Sequence, residues 1–307
     1  MTDLLIGAGG WSYFQVPGLT SLEAYSKAFN FVEVNSTFYE IPNLETVKFW
    51  RKRTPPDFEF SVKCHRSVTH KYQLKPCEES FKTFDAMINV CSTLRSRFLV
   101  LETPAKIKLD YGRIESMKAF FEGIDLKKIR LVWEVRRRRG EPLPRGLIEL
   151  MRKHDIAQAV DLSREAPAVK SDVLYSRIFG KGQHNVYQFT DEELKDIDRK
   201  VNRSSAETSV ISFHNVRMYK DAARFKFYKE TGKFSSVTGV EGEQSLRKVL
   251  MEDARFPMTK RELLKSQGWK VIDLTENQRV HASTLLEMLP DEKFLSVEDV
   301  LNGLRLA

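Results

Sequence analysis

Charged side chains stand at the ends of several short apolar segments of this sequence. They are Glu33 with Asn35, Lys63, Glu102, Glu134 with Arg136, Asp161 and Arg177. If the segments are parallel strands, residues two apart point to the same side, and the carboxyl ends of the strands meet at one edge. A buried carboxylate needs a cation nearby. The sequence therefore predicts one cluster in which acidic and basic groups meet.

The acidic members of this set suggest a metal site. Oxygen ligands suit Mg²⁺ or Mn²⁺, and we expect Glu33 and Glu134, with Asp161 or Glu102, to bind such a divalent cation. No GxGxxG motif follows the first apolar segment, so no nucleotide or organic cofactor is indicated.

The basic members suit a phosphate group. Lys63, Arg136 and Arg177 would hold phosphate oxygens and offset the charge of a transition state. His70 or His214 could move a proton, because imidazole titrates near neutral pH. Together with a cation, these groups favour hydrolysis of a phosphodiester bond in nucleic acid. The predicted catalytic residues are Glu33, Lys63, His70, Glu134 and Asp161.

Other residues near the same segments could bind the substrate. Trp11, Phe38 and Tyr39 could stack on a base or sugar, although ordinary core packing explains them equally well. The arginine run at 136–139 suits a phosphate track, or a solvated loop. The predicted substrate-binding residues are Trp11, Asn35, Tyr39, Arg136, Arg137, Arg177 and Asn215.

Three alternatives remain open from the residues alone. Glu102 and Glu134 on adjacent strands could be the acid and nucleophile of a glycoside-processing enzyme. The same cluster could bind a phosphate or nucleic acid without turnover. It could also be an ion-pair layer that closes the end of the fold.

The elements that would position these residues alternate between strands and helices. Strands are predicted at 4–9, 31–35, 58–63, 98–103, 130–136, 157–162, 174–180 and 210–215. Helices are predicted at 20–29, 45–53, 78–94, 113–121, 145–153 and 219–228, with capping boxes formed by Thr20 and Glu23 and by Thr190 and Glu193. The link at 163–172 is too short for a helix. The pattern predicts an α/β fold, a (β/α)8 TIM-like barrel with one degenerate crossover.

The pattern changes after residue 232, which predicts a barrel domain over 1–232 and a small basic module over 233–307. The module is expected to be mostly helical and of winged-helix size, although a structural cap or dimerisation element fits as well. Thr259 and Glu262 form a third capping box, and Gly268 ends that helix. The module's cations could tether the barrel to nucleic acid. They are Lys260, Arg261, Lys265 and Lys270.

Composition bounds the partners and the location. Lys and Arg total 50 against 42 Asp and Glu, a formal charge of +8, which suits nucleic acid or simply a well-solvated surface. Three cysteines without CxxC spacing argue against disulfides and structural zinc. No apolar run of about 18 residues and no signal-peptide pattern are present, so we expect no membrane partner and a cytoplasmic location.

Six motifs resemble the YecE-like family, catalogued as domain of unknown function 72. They are GGWSY at 9–13, FVEVNSTFY at 31–39, FEFSVK at 58–63, WEVR at 133–136, YSRIFG at 175–180 and FHN at 213–215. The resemblance covers about the first 230 residues. It implies a barrel with a polar pocket at its mouth and, by fold analogy, a likeness to barrel endonucleases that act on damaged DNA. Phe179, Glu102 and His214 depart from the family's usual His, Gln and Asn, so the resemblance leaves the chemistry open.

Overall fold

The computed structural model of the chain describes residues 3–138 and 140–306. Eight parallel strands, each paired with its neighbours in chain order, form a closed barrel. The strands are β1 Asp3–Ala8, β2 Phe31–Val34, β3 Glu59–Lys63, β4 Phe98–Thr103, β5 Arg130–Val135, β6 Ala157–Val160, β7 Val173–Ile178 and β8 Thr208–Phe213. The predicted α/β barrel fold is therefore confirmed.

Helices follow six of the first seven strands, as the capping signals indicate. They are α1 Ser21–Ala28, α2 Leu44–Lys52, α3 Glu78–Leu94, α4 Tyr111–Glu122, α5 Arg145–Lys153 and, between β7 and β8, α6 Asp191–Asn202; α7 Met218–Thr231 follows β8. Thr20 and Glu23 form the reciprocal hydrogen bonds of a capping box at the start of α1. Residues 161–172, all described, contain no helix between β6 and β7, which is the degenerate crossover expected from the sequence.

The barrel interior is apolar below and polar above. Nine buried residues from seven strands fill its lower part: Leu5, Phe31, Phe98, Val100, Val132, Ala157, Ala159, Tyr175 and Val210. Because side chains alternate, the next inward positions towards the carboxyl ends are Glu33, Glu102, Glu134, Asp161 and Arg177. The strand register agrees, since Glu102 is the direct partner of Glu134. The fold therefore places the predicted charged residues together, above an apolar core.

Several strands end earlier than the sequence pattern predicted. The structure ends β2 at Val34 and β7 at Ile178, one and two residues before the predicted ends. The residues beyond them have left the strand pairing: Asn35 donates from Nδ2 to the carbonyl of Gly9 at 2.9 Å, and Gly180 has φ +82°. A polar residue therefore directly follows β2, whereas Phe179 and Gly180 follow β7.

By their contacts, residues of the chain form two compact units, residues 1–178 with 201–213 and residues 179–200 with 214–307. The second unit is larger than the predicted module. Within it, Arg279 pairs with Asp191 at 3.2 Å and Gln188 accepts the backbone N–H of Val271 at 3.0 Å. These contacts join the segment before α6 and the start of that helix to the C-terminal residues. The predicted domain boundary after residue 232 stays a prediction.

The C-terminal residues add four helices and two small sheets. The elements are α8 Gly242–Asp253, β9 Met258–Thr259, α9 Lys260–Gln267, β10 Val271–Thr275, β11 Gln278–His281, α10 Ser283–Leu286, β12 Lys293–Phe294 and α11 Val297–Leu306. The strands pair as β10 with β11 and β12 with β9, both antiparallel. The capping box of Thr259 with Glu262 and the helix end at Gly268 are present as predicted. Among the described residues, no helix is long and apolar enough to cross a membrane.

Candidate functional site

Three acidic and three basic side chains form one contact cluster at the carboxyl end of the barrel. The members are Glu33 on β2, Lys63 on β3, Glu102 on β4, Glu134 on β5, Arg136 directly after β5 and Arg177 on β7. We call this set the charged layer. Its formal charges balance, because each of the six carries one unit charge.

Arg177 lies at the centre of the charged layer. Its guanidinium binds Glu33 through two hydrogen bonds, Nη2 to Oε1 at 2.9 Å and Nε to Oε2 at 3.2 Å. The Nη1 atom donates to Glu102 at 2.8 Å and also to Glu134. Although burial opposes the charge, the carboxylates of Glu134, Glu33 and Glu102 raise the pKa of Arg177. Arg177 therefore holds carboxylates from three strands in fixed positions.

Glu102 receives three cations on a single oxygen. Its Oε2 lies 2.8 Å from Lys63 Nζ, 2.8 Å from Arg177 Nη1 and 3.1 Å from Arg136 Nη2. Burial alone would raise the pKa of Glu102, but these cations outweigh it and lower the pKa to about 2. Glu102 is therefore a carboxylate, not a proton donor, at neutral pH.

Lys63 is enclosed between the charged layer and an aromatic ring. Its ammonium lies 4.2 Å from the ring centre of Phe38, and its side chain is 10% exposed. Burial lowers the pKa of Lys63 and nearby Arg177 lowers it further, while Glu102 partly offsets both. The ammonium is thus held by one carboxylate and one aromatic face.

A hydrogen-bonded column connects the charged layer to the apolar core. The hydroxyl of Tyr175 donates to Glu33 at 3.0 Å and lies 2.7 Å from Ser61 Oγ, which leaves the serine as the donor of that pair. Burial and then the charge of Glu33 raise the pKa of Tyr175 well above its usual value. The sequence analysis missed Ser61 and Tyr175, although each stands two positions before a predicted site residue and so faces the same side.

His70 lies on a π-helical turn, Ser67–Lys71, that follows β3. Its Nδ1 lies 2.9 Å from Thr69 Oγ1, and its ring centre is 5.0 Å from that of Phe38. Burial lowers the pKa of His70. Glu102 opposes that shift, while Lys63 and further cations at 106 and 136 add to it. The imidazole is therefore neutral at pH 7 and able to accept a proton.

Arg136 is the member of the charged layer most open to solvent. Its Nε lies 3.1 Å from Glu134 Oε1 and its Nη2 lies 3.1 Å from Glu102 Oε2. Even so, 46% of its side chain is exposed. Two carboxylates thus orient the guanidinium of a side chain that is nearly half exposed.

The remaining predicted residues of the first unit have local contacts. Trp11 packs edge-on against Trp50, with ring centres 5.3 Å apart, so its ring belongs to the packing outside the barrel. Tyr39 is 68% exposed and remains available for stacking. Asp161 accepts hydrogen bonds from its own loop, 2.9 Å from Ser163 N and 2.6 Å from Ser163 Oγ.

In the arginine run predicted to form a phosphate track, the described residues contact nearby parts of the protein. Arg137 pairs with Glu165 and is 17% exposed, so this guanidinium is engaged by the protein. Arg138 binds Glu141 through its backbone N–H at 3.2 Å, and Arg139 lies outside the described residues.

The two predicted residues after β8 lie in the second unit. The Nδ2 of Asn215 donates to Asp221 at 2.7 Å and to the carbonyl of Tyr187 at 2.8 Å. The side chain of Asn215 is buried, which is the pattern of a structural amide. The ring of His214 packs against that of Phe179, with centres 5.1 Å apart.

The donor set of the charged layer does not fit a divalent cation as it stands. Three of the carboxylates expected to bind the metal, Glu33, Glu102 and Glu134, direct oxygens to Arg177, Lys63 and Arg136. The fourth, Asp161, lies 3.4 Å from Arg164 Nε. Across residues 3–138 and 140–306, no group of three or more His, Cys, Asp or Glu could hold a metal ion. The predicted Mg²⁺ or Mn²⁺ site therefore remains a prediction, and the observed geometry assigns its carboxylates to protein cations.

An eight-stranded parallel barrel with charged side chains at the carboxyl ends of its strands defines a TIM-like barrel protein with a polar mouth. The chain belongs to the DUF72 family: the model described as "Protein of unknown function DUF72" matches residues 5–230.

Relatives agree with this assignment. Over 83 residues the chain is 37% identical to the UPF0759 protein YecE of Escherichia coli (strain K12), covering 26% of this chain and 30% of that protein. It is 33% identical over 90 residues to the UPF0759 protein YunF of Bacillus subtilis (strain 168), covering 27% and 32%. These alignments span about a third of the relatives' length.

A solved structure shows the same fold. A DUF72 family protein from Enterococcus faecalis V583 superposes with a TM-score of 0.60 at 17% identity, over 75% of this chain and 98% of that one. At this identity the likeness concerns the fold alone.

Proposed function

We propose that the chain acts on nucleic acid at the barrel mouth, where it binds a backbone phosphate and hydrolyses a phosphodiester bond. The observation that most supports this is Arg136, which two carboxylates anchor at 3.1 Å each while 46% of its side chain stays exposed. A guanidinium oriented in this way can contribute hydrogen bonds and positive charge to phosphate oxygens. A nucleic-acid partner and a cytoplasmic location, both expected from the sequence, are part of this proposal.

His70 supplies the base in this proposal. Its lowered pKa keeps the imidazole neutral at pH 7, so it can take a proton from water as the water oxygen bonds to phosphorus. The bond from phosphorus to the leaving oxygen breaks, and the proton held by His70 is then available to that oxygen. Arg136 offsets the charge that develops on the phosphate oxygens.

The buried members of the charged layer have a positioning role. Arg177 is 2% exposed and bound to three carboxylates, so it orients Glu102 and Glu134, which in turn orient Arg136. Glycoside processing is less well supported. Its acid and nucleophile must both face the sugar, whereas Glu102 and Glu134 are both paired with the buried Arg177.

The experiment is a cleavage assay on labelled single-stranded, duplex and abasic-site DNA and on RNA, with Mg²⁺, Mn²⁺ or EDTA. We expect cleavage to fall by about 100-fold in His70→Asn, the scale typical of losing a general base. His65→Asn is the matched control, because His65 lies in the same loop and binds Ser67 Oγ at 2.8 Å. The pH–rate profile should fall on the acid side with an apparent pKa below that of free imidazole.

Each outcome decides between the alternatives. Cleavage that persists in EDTA and is lost in His70→Asn supports the proposal. Cleavage that requires Mg²⁺ or Mn²⁺ and is lost in Glu134→Gln would restore the predicted cation site and displace His70 as the sole activating group. Salt-sensitive binding without cleavage would refute hydrolysis in favour of a binding protein, and absence of binding would refute the whole proposal.

A further inference from the structure

A groove of about 500 Å³ lies beside the barrel mouth. Its walls come from Gln73 and Lys75, shortly after the π-helical turn, and from residues between 106 and 116, which follow β4 and begin α4. We call it the lysine groove and define it by its charged lining residues: Lys75, Lys106, Lys108, Asp110 and Arg113.

The cations of the lysine groove lack the carboxylate partners seen in the charged layer. Among residues 3–138 and 140–306, no ion pair within 4 Å involves Lys75, Lys106, Lys108 or Arg113. The one acidic lining residue, Asp110, accepts the backbone N–H of Arg113 at 2.9 Å and so caps α4. Four cations that share one groove repel each other, and an anion that enters it relieves that repulsion.

The lining also indicates how such an anion would be recognised. The three lysines are exposed, and the groove has no aromatic ring among its lining residues. Flexible ammonium groups act as point charges and suit phosphate oxygens without selecting a base. The volume exceeds that of one small anion, so consecutive phosphates of a strand fit the site better than a single ion.

The lysine groove is close to the proposed catalytic groups. It is built on the loops after β3 and β4, the strands that carry Lys63 and Glu102. His70 lies on the turn Ser67–Lys71, shortly before the lining residues Gln73 and Lys75, and the positive charge of Lys106 contributes to lowering the pKa of His70. A polymer bound at the mouth would therefore extend into this groove.

We propose that the lysine groove binds the backbone phosphates of the nucleic-acid strand whose neighbouring phosphate lies at the barrel mouth. This inference rests on the proposed function and adds a sequence-independent subsite to it. Anionic lipid headgroups would offer similar charges, but they form a flat surface, whereas this site is a concave groove next to a narrow polar mouth.

The test measures binding of a fluorescein-labelled oligothymidylate of about 20 nucleotides to the full protein. Fluorescence anisotropy reports the binding, over about 50–300 mM salt. Lys75→Ala/Lys106→Ala/Lys108→Ala should weaken binding by at least about tenfold at 100 mM salt. It should also reduce the slope of log affinity against log salt by about 2, since each phosphate contact to a single strand contributes about 0.7.

A charge-matched variant controls for the general field of the protein. Lys27, Lys128 and Lys170 are exposed and precede β2, β5 and β7, so they lie towards the opposite end of the barrel. Lys27→Ala/Lys128→Ala/Lys170→Ala removes the same net charge and should change affinity by less than about threefold.

The outcomes separate this inference from the proposed function. Selective loss in the groove variant supports the inference. Equal losses of affinity in the two triple variants overturn it. It is also overturned if Arg136→Ala loses affinity while the groove variant does not, and in that case the proposed function still holds. If the unaltered chain does not bind the oligonucleotide, both the proposed function and this inference are refuted. Binding to phosphatidylserine vesicles, but not to DNA, that requires the three groove lysines would assign the groove to a membrane and overturn the inference.

Discussion

The charged layer and the lysine groove lie at the same end of the barrel and are both rich in cations, but they differ in what neutralises them. In the charged layer, Lys63 and Arg177 each have a carboxylate within 2.9 Å. In the groove, Lys106 and Lys108 have no such partner among the described residues. Paired charges fix side chains in place, whereas unpaired charges on a concave surface favour binding of an anion.

The difference also predicts where substitution is costly. Removing one partner from a buried ion pair leaves the other charge without compensation. Removing an exposed lysine that has no ion-pair partner leaves no uncompensated charge. The charged layer should therefore affect stability and the groove should affect binding. Four measurements would sharpen or break this division.

The largest effect is expected from Arg177→Met, which leaves three carboxylates facing each other. The free energy of unfolding should fall by about 3–5 kcal/mol, as for other broken buried pairs. Urea unfolding followed by fluorescence measures it, and Lys108→Met, which alters an exposed groove lysine, is the control. A loss below about 1 kcal/mol would show that the layer is not held by Arg177. Adding Glu33→Gln should recover part of the loss, because it removes one of the stranded charges.

A smaller effect is expected from the pH dependence of stability. The pKa of Glu102 is lowered in the folded protein to about 2, from about 4.5 when unfolded. Its contribution, at most about 3 kcal/mol, is therefore complete above pH 4.5 and is lost as the pH falls towards 2. Unfolding measured from pH 7 down to pH 3 should show this loss, and Glu102→Gln should have a flatter profile. A profile identical to that of the unaltered chain would contradict the ion pairs of Glu102 with Lys63, Arg136 and Arg177.

A still smaller effect is expected on stability in the groove. Lys75→Ala/Lys106→Ala/Lys108→Ala should change the free energy of unfolding by less than about 0.5 kcal/mol, the usual range for exposed positions. At low salt the change should be slightly stabilising, because repulsion is relieved. Urea unfolding at two salt concentrations measures it. A loss of more than about 2 kcal/mol would mean that these lysines are structural.

The smallest effect concerns His70. Removing the ammonium in Lys106→Ala should raise the pKa of His70, because one of the charges that lowers it is gone. The histidine ring resonances followed by NMR against pH would report the change. Lys128 lies before β5, so Lys128→Ala should leave the pKa of His70 unaltered. An equal shift in both variants would show that Lys106 has no specific effect on His70, and would contradict the proximity of the groove to the barrel mouth.

The sequence predicted the charged layer because a simple rule applies to it. Strand alternation fixes which side chains face the barrel interior, so the inward direction of Glu33, Glu102 and Arg177 follows from their positions. Which of them would pair could not be read, since alternation gives no distances. Arg177 binds three carboxylates, and its expected contact with a phosphate stays a prediction.

The lysine groove could not be found from sequence patterns. Lys75 and Lys106 are separated along the chain by all of α3 and β4, and each alone is an ordinary surface lysine. The turn that positions His70 is π-helical, and no residue pattern in residues 67–71 predicts this geometry. By contrast, the consecutive arginines predicted a phosphate track, although Arg137 is engaged by Glu165. Adjacency in sequence was a poorer guide than convergence of loops.

The equal number of acids and bases in the charged layer has a consequence for how related sequences can diverge. A change that neutralises Arg177 exposes Glu33, Glu102 and Glu134 to one another, so it can be tolerated only with a second change that discharges one of them. Variation among homologues should therefore appear as correlated exchanges across strands far apart in the chain. Positions of the lysine groove, which have no such reciprocal partners, should vary one at a time.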